Sequence, residues 1–258
     1  MAPELHSLLG PSSAERWLNC TPSPRLTEHM PDSGSPYAAA GTLAHAIAEL
    51  KGQKYFGIPE PMPTREFNKR LKKLKEDPSY DKGMDAATDL YLEHLKARAM
   101  SFGAVRPFAA LEVRVDYSNL VPEGFGTADC VMIGDGRLDV IDFKNGAGVP
   151  VSAEANSQMM LYALGTLNTF HFIYGDTIHT AHFSIVQPNA GGIKEWECQV
   201  KDLAEWGETV VRPTAELAWA GKGKFVPGDW CRFCKAKAQC SARAKVMLEL
   251  GDVPHALE

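Results

Sequence analysis

Gly126-Thr-Ala-Asp129-Cys-Val-Met-Ile-Gly-Asp-Gly-Arg-Leu-Asp-Val-Ile-Asp142-Phe-Lys144 is the stretch that decides the fold, because it contains two short apolar runs joined by a tight turn. The turn, Gly134-Asp135-Gly136, is a strong hairpin signal. Residues of a strand point alternately to the two faces of a sheet. In the second strand, one face therefore carries Leu138, Val140, Asp142 and Lys144, and the other carries Ile141 and Phe143.

The same hairpin brings two carboxylates and one amine towards a common point. Asp129 lies on the first strand, and Asp142 and Lys144 lie at the end of the second. Two neighbouring carboxylates repel each other, and a hard divalent cation such as Mg²⁺ removes that repulsion. This residue set is typical of a metal-dependent phosphodiesterase. The alternative is a surface hairpin on which Asp142 and Lys144 form a solvated ion pair.

The composition predicts one globular catalytic domain over residues 1–258. The chain has 45% hydrophobic residues and a formal net charge of -5, which argues against a general nucleic-acid coating protein. No run approaches the ~18 apolar residues of a membrane span, and the first residues lack a secretion signal. We therefore expect a cytoplasmic protein with no membrane partner. Basic residues concentrate in Lys69–Lys75 and in the tail from Lys222 to Lys245, where they could follow a phosphate backbone or form solvated faces.

The order of predicted elements indicates an α/β fold with a mixed central sheet. A capping-box pattern at Ser12–Glu15 predicts a short first helix, and apolar spacing predicts a helix from Ala38 to about Tyr55. A charged helical region from Thr64 to Met100 comes next. Further along are three strands, a helix over Ala153–Leu167, two strands and a final helix, an arrangement typical of helices packed around a sheet. The three strands are predicted at 109–117, 126–133 and 137–143, the next two at 180–186 and 193–200, and the final helix at 201–220.

Two pairs of residues at helical spacing are further candidates. His45 and Glu49 share one face of their predicted helix, as do Gln158 and Tyr162 of theirs. Taken alone, His45 fits a satisfied core histidine, and Tyr162 fits a core tyrosine with a hydrogen-bonded hydroxyl. Glu112, on the first strand, could add a third carboxylate.

The order of these motifs resembles the RecB-like branch of the PD-(D/E)XK nuclease superfamily. The motifs are Gly41-Thr-Leu-Ala-His45, Gly126-Thr-Ala-Asp129, Ile141-Asp142-Phe-Lys144 and Gln158-x-x-x-Tyr162. The resemblance implies a restriction-endonuclease-like core and a Mg²⁺ or Mn²⁺ ion. It implies that the metal ligands are His45, Asp129, Asp142 and the backbone carbonyl of Phe143, joined in some relatives by a carboxylate at the position of Glu112. Lys144 would position or activate water, and Gln158 and Tyr162 would line the DNA strand. Relatives often carry Glu where Asp142 stands here.

Four cysteines form a second constellation. Cys231, Cys234 and Cys240 have C-x2-C-x5-C spacing, and Cys20 lies near the other end of the chain. Thiolates at such spacing can bind structural zinc or an iron-sulfur cluster. The pattern resembles AddB-type helicase-nuclease subunits and the CRISPR adaptation exonucleases, which implies a [4Fe-4S] cluster joining residues 1–30 to residues 221–245. Cys130 and Cys198 lie in strand patterns and are expected to be apolar fillers.

The sequence thus favours a metal-dependent DNA exonuclease acting on duplex ends or single strands. The segment Pro11–Cys20 also resembles an uncharacterised group of phage and prophage proteins, which implies a role in phage replication or recombination inside a bacterial host. A phage single-strand-binding or annealing protein would be a natural partner. No P-loop motif occurs in the chain. The alternatives are a structure-specific endonuclease and a DNA-binding or assembly module on an inactive nuclease fold.

Overall fold

Five strands form one mixed sheet in the computed structural model, which describes residues 7–31, 36–103, 105–146 and 148–251. The strands follow the order of the chain: β1 (Phe108–Asp116), β2 (Phe125–Gly134), β3 (Arg137–Phe143), β4 (Thr180–Gln187) and β5 (Gly192–Gln199). The β3–β4 pair is parallel, and the other three pairs are antiparallel. A parallel pair needs a crossover connection, and a helix supplies it here. The predicted α/β class with a mixed sheet flanked by helices is confirmed.

Ten α-helices accompany the sheet in the described residues. Those before the sheet are α1 (Ala14–Asn19), α2 (Ser23–Thr27), α3 (Pro36–Phe56), α4 (Thr64–Lys75) and α5 (Gly83–Met100). The crossover consists of α6 (Ser157–Thr169) and the short α7 (His171–Tyr174). The remaining helices are α8 (Val200–Trp206), α9 (Arg212–Trp219) and α10 (Ser241–Gly251). None of the helices in the described residues is long and apolar enough to cross a membrane.

The two faces of the sheet bury separate apolar cores. Leu138 and Val140 of β3 pack in the core that contains α6, whereas Ile141 and Phe143 pack in the core that contains α3 and α5. The predicted alternation of β3 is therefore confirmed. Asp142 is the first residue of the α6-facing row that carries a charge, and it is only 2% exposed. The fold thus buries a carboxylate at the end of the apolar row that faces α6.

An irregularity in β1 and β2 redirects two acidic side chains. Along β1, Leu111 packs towards the α3 and α5 core, but Val113 packs towards the α6 core. Glu112 between them has a φ of 45°, which L residues adopt only under strain. Its neighbour across the pair is Asp129, flanked by Cys130 and Ala128, which also pack on opposite faces. Both carboxylates therefore lie where the regular alternation of the two strands breaks.

Three local predictions need correction. Ser12, expected to cap the first helix, lies inside a 3-10 turn, Pro11–Ser13, and Ser13 stands at the N-cap of α1 without a capping hydrogen bond from its side chain. The helix expected from Ala153 begins at Ser157, where Asn156 caps it by accepting a hydrogen bond from the Met159 N–H (3.2 Å). The helix expected over residues 201–220 contains a π-helical turn, Gly207–Val211, just before Pro213. Proline has no N–H to continue the α-helical hydrogen bonds.

Candidate functional site

Asp129 joins the ends of β2 and β3. The last ladder pair between these strands is Cys130 with Ile141. Beyond that pair, the backbone N–H of Phe143 donates a 2.7 Å hydrogen bond to Oδ2 of Asp129. The carboxylate thus replaces the carbonyl that would have continued the ladder. This bond fixes Asp129 beside the Asp142-Phe-Lys144 segment and leaves its other oxygen, Oδ1, for a second contact.

That second contact is with His45 of α3. The imidazole Nδ1 lies 3.3 Å from Oδ1 of Asp129 and 3.9 Å from Oε1 of Glu112. Ligand atoms of His45, Glu112 and Asp129 all lie within 4.8 Å of one another, and this is the group in the described residues that could hold a metal ion. The ring of His45 also packs against Phe143, with centroids 5.4 Å apart. His45 is half-buried and faces two carboxylates, which differs from the surroundings of a histidine enclosed in an apolar core.

Glu49, one turn further along α3, is less directly placed. It accepts a 2.7 Å hydrogen bond from Gln53. Burial raises the pKa of Glu112, and the charges of Asp129 and Glu49 add to the rise. Glu49 does not belong to the group of His45, Glu112 and Asp129 that could hold a metal ion.

Asp142 and Lys144 form the adjacent part of the site. Lys144 Nζ lies 3.0 Å from Oδ2 of Asp142 and donates a 3.3 Å hydrogen bond to Oδ1. The solvated-pair alternative does not describe this contact, because the Asp142 side chain is 3% exposed. Lys144 is more open, at 29%. The pair therefore has a buried acid and an amine that reaches the surface.

Two residues of α6 complete this part. Gln158 donates hydrogen bonds to Oδ1 of Asp142 and to the Tyr162 hydroxyl, both of 3.2 Å, and accepts one of 3.2 Å from Lys144. Tyr162 itself packs against Gly126, where a side chain would meet both Tyr162 and Pro11. The predicted residues Gln158 and Tyr162 therefore lie at the site, and Gly126 is required for the close approach of β2 to α6.

The donor set fits a hard divalent cation. The buried Oδ2 of Asp142 has the Lys144 ammonium 3.0 Å away, and the carboxylates of Glu112 and Asp129 lie close to His45. Carboxylates gathered away from water are costly unless cations accompany them. Mg²⁺ and Mn²⁺ prefer such oxygen ligands, and imidazole is a common further ligand of Mn²⁺ and related ions. The residues present would therefore hold such an ion through His45, Glu112 and Asp129, and the predicted ligand Asp142 stays a prediction. The predicted carbonyl ligand of Phe143 stays a prediction.

The charges of the site are strongly coupled. Burial raises the pKa of Asp142 to about 6, against the opposing effect of Lys144, and the charge of Asp129 adds to the rise. Burial lowers the pKa of His45, but hydrogen bonds to Asp129 and Glu112 outweigh it and raise that pKa to about 10. For Lys144, burial lowers the pKa, and the charges of Asp142 and Asp129 raise it above its ordinary value. Without a metal, protons on His45 and Lys144 supply the positive charge.

The four predicted cysteines line one pocket. Cys20, just after α1, meets Cys231, Cys234 and Cys240 there, and the pocket wall also includes Trp230. Burial raises the pKa of Cys20, and the other three thiols raise it further because they lie nearby. The two ends of the chain are also tied by the Thr21 hydroxyl, which donates a 2.6 Å hydrogen bond to the Lys222 carbonyl. The structure thus brings the four cysteines of the two segments to one pocket.

The spacing of the thiols bears on what they could hold. Among the described residues, no three cysteine sulfurs lie within 4.8 Å of one another. Four thiolates around one zinc ion at about 2.3 Å would lie only ~3.8 Å apart. The thiols therefore do not stand at the distances of a four-thiolate zinc site. Cys130 is fully buried and Cys198 is half-buried against the α6 core, so both behave as the expected apolar fillers.

Two aromatic residues near the site were not among the predicted ones. Tyr91 of α5 is buried against Phe143, with ring centroids 5.1 Å apart, and its hydroxyl has no hydrogen-bond partner among the described residues. Phe233 is 80% exposed and lines the same groove as His45 and Lys144. Only its position between Cys231 and Cys234 could have drawn attention to Phe233, and no sequence signal marks Tyr91.

Comparison with known proteins assigns the chain to a family. A family model described as "Protein of unknown function (DUF2800)" matches residues 6–256. The chain belongs to the DUF2800 family. The DUF2800 chain is also similar to a solved protein, the crystal structure of SSO0001, with 14% sequence identity over 89% of this chain and 96% of that chain. The TM-score of 0.32 is too low for that likeness to support an argument.

Proposed function

We propose that this protein is a metal-dependent deoxyribonuclease that hydrolyses phosphodiester bonds, acting as an exonuclease on DNA ends or single strands. The observation that carries the proposal is the buried Asp142 carboxylate. Its side chain is 3% exposed, its Oδ2 lies 3.0 Å from the Lys144 ammonium, and it has an electrostatic link to Asp129 and His45. A structural ion pair alone leaves the adjacent group of His45, Glu112 and Asp129 unexplained.

The order of elements supports a restriction-endonuclease-like core. Strands β1, β2 and β3 form an antiparallel meander, α6 crosses over, and β4 pairs with β3 in parallel. The motif residues occupy the matching elements. His45 comes from the helix before the sheet, Asp129 and Asp142 from the central strands, and Gln158 and Tyr162 from the crossover helix.

Each side chain has a distinct part in the proposed chemistry. A divalent cation held by Asp129, Asp142 and His45 would supply charge to the scissile phosphate and acidify the attacking water. Lys144 is held as an ammonium ion by the two carboxylates, so it donates hydrogen bonds and stabilises developing negative charge. Gln158 holds both Asp142 and Lys144 in place. Tyr162 keeps its proton, because burial raises the pKa of its hydroxyl, and it can therefore donate to a DNA oxygen.

We further propose that Cys20, Cys231, Cys234 and Cys240 bind a [4Fe-4S] cluster. The shared pocket supports a common metal group, and the spacing favours a cluster, because zinc sites usually use two close pairs of cysteines. The cluster would clamp the two ends of the chain beside the groove and take no part in hydrolysis. A role in phage replication or recombination, with a single-strand-binding or annealing protein as partner, remains the biological setting that the sequence resemblance favours.

Digestion of matched DNA substrates tests the proposal. Protein purified without air is incubated with end-labelled linear DNA and with closed circular DNA of the same sequence, with added Mg²⁺ or Mn²⁺. An exonuclease degrades the linear DNA and spares the circle. Cleavage of the circle would indicate the endonuclease alternative. Binding without cleavage of any substrate would indicate the inactive binding module and refute the proposed function.

A further inference from the structure

The groove beside the candidate metal centre has exposed aromatic side chains in its wall. Its lining includes His45 and Lys144 together with Tyr37, Trp230 and Phe233. Tyr37 is 89% exposed and Phe233 is 80% exposed. Single exposed aromatics are ordinary on a protein surface. Tyr37 and Phe233, however, are both almost fully exposed and both line the groove that contains Lys144. Two such rings in one groove suit a ligand with flat apolar faces.

One face of α3 leads from an aromatic ring to the metal centre. Tyr37, Gly41 and His45 follow each other at intervals of four residues, and all three line the groove. At 1.5 Å per residue, Tyr37 lies about 12 Å along the helix from His45. A side chain added at Gly41 would meet nothing within 4 Å, so the helix surface between the two residues is open. A chain-like ligand can therefore lie along this face and reach the metal centre.

The second aromatic comes from the cysteine segment. The 3-10 turn Asp229–Phe233 contains Cys231 and ends next to Cys234. Trp230 fixes this turn, because its indole N–H donates a 2.8 Å hydrogen bond to the Val226 carbonyl. The thiols of the turn face the cysteine pocket, whereas Phe233 and Arg232 face the groove. The segment proposed to bind the cluster therefore also shapes the groove.

The charges of the groove do not favour a purely ionic ligand. Its cationic residues are His45, Lys144 and Arg232, and its acidic residues are Glu15, Glu154 and Asp229. These charges nearly balance, so attraction to phosphates contributes little on its own. Contact between aromatic rings and bases is available to unpaired nucleotides, whose faces are free, and not to the stacked interior of a duplex.

We propose that Tyr37 and Phe233 form a stacking platform for the bases of single-stranded DNA, which holds the strand in the groove while its backbone reaches Lys144. This inference rests on the proposed function and specifies the form of its substrate. The occupant is a single strand of DNA, because the groove combines exposed rings, balanced charge and continuity with the candidate phosphodiester site.

Binding measured without hydrolysis tests the platform. Fluorescence anisotropy of a labelled oligothymidylate of roughly 20 nucleotides is recorded in the absence of divalent cations. Phe233→Ala and Tyr37→Ala should each weaken binding by about tenfold, the effect expected from loss of one stacked base. Gly41→Leu should also weaken it, because the new side chain fills open space in the groove without meeting other residues. Phe172→Ala is the matched control, since Phe172 is 98% exposed but lies outside the groove lining.

An abasic strand of the same length separates stacking from charge. It should bind the wild-type protein as weakly as oligothymidylate binds the two alanine variants. Unchanged binding by Phe233→Ala and Tyr37→Ala, or tight binding of the abasic strand, would overturn the platform. So would a wild-type protein that binds duplex DNA but no single strand. A protein that passes these tests but never cleaves DNA would refute the nuclease proposal alone, and a nuclease indifferent to both substitutions would refute the platform alone.

Discussion

The backbone N–H of Phe143 donates its hydrogen bond to a side chain, the Oδ2 of Asp129, at 2.7 Å. Asp129 therefore has two tasks. It satisfies a backbone donor at the end of the β2–β3 ladder, and it presents its other oxygen to His45 at 3.3 Å. The strained backbone of Glu112, directly across from Asp129, brings a third group that could bind a metal to the same point.

Substitutions at Asp129 should separate these two tasks. Asp129→Ala removes the acceptor and leaves the buried Phe143 N–H unpaired, which costs ~1–3 kcal/mol of unfolding free energy. Asp129→Asn can still accept that bond through its amide oxygen and should stay within about 1 kcal/mol of wild type. Both variants should lose metal affinity, because the charged oxygen is gone. Urea unfolding and Mn²⁺ titration measure the two effects, and equal stability of the variants would contradict the structural task.

His45→Ala tests whether the helix contributes to the metal centre. Loss of the imidazole should weaken metal binding and lower DNA cleavage, and excess Mn²⁺ should restore part of the activity. Tyr91→Phe is the matched control on the opposite side of Phe143. It removes a buried hydroxyl that has no partner among the described residues and should leave both metal affinity and cleavage unchanged. Full specific activity in a destabilised His45→Ala protein would show that His45 is a structural core histidine and not part of the metal centre.

Metal binding should become stronger as pH rises. The pKa of Asp142 is raised from 3.8 to about 6 in the folded protein, so the folded state holds more protons than the unfolded state between about pH 4 and 6. Stability of the metal-free protein therefore falls as pH rises through that window. The pKa of His45, raised from 6.5 to about 10, extends the same trend from about pH 6.5 to 10.

A cation that displaces these protons binds better when fewer are present. The rise in melting temperature caused by a fixed concentration of Mn²⁺ should thus be larger at pH 8 than at pH 6. Asp142→Asn and His45→Gln should each flatten this difference. An increase of the same size at both pH values in the wild-type protein would contradict the coupling.

The shared pocket of the four cysteines predicts that iron content and thermal stability depend on the same residues. Protein purified without air should be brown, absorb broadly near ~400 nm and hold about four irons per chain. Replacing any one of Cys20, Cys231, Cys234 and Cys240 by Ser should reduce the iron content and lower the melting temperature, because the pocket joins both ends of the chain. Cys130→Ser and Cys198→Ser are the controls for iron content. A colourless protein with one zinc would refute the cluster, and iron retained in Cys20→Ser would remove Cys20 from the ligands.

Much of this architecture follows from local sequence patterns. The alternation of β3, the hairpin at Gly134–Gly136 and the four-residue spacing in α3 and α6 each depend on neighbours in the chain, so they could be predicted. The helix start at Ser157 could not be predicted. The preceding Ala155 adopts a φ of 48°, and alanine has no preference for that conformation. The π-helical turn before Pro213 was also missed, although proline gives it a physical reason.

The candidate site was predictable as a set of residues but not as an arrangement. Its residue types and order indicated the ligands, and the structure brings most of them together. The grouping of Glu112 with His45 depends on a strained backbone, and the burial of Asp142 depends on packing between elements that are distant in the chain. The exposed rings of Tyr37 and Phe233 line one groove only because segments that are distant in the chain fold side by side.

Turnover of DNA by Asp142→Ala is the most direct test of the central claim. Wild-type protein and the variant are purified in parallel without air, checked for equal melting temperature and iron content, and incubated with end-labelled DNA and Mg²⁺ or Mn²⁺. The account predicts that the wild type releases labelled nucleotides and that Asp142→Ala, which lacks the buried carboxylate, releases none above background. Near-normal turnover by Asp142→Ala would contradict the assignment of the active site.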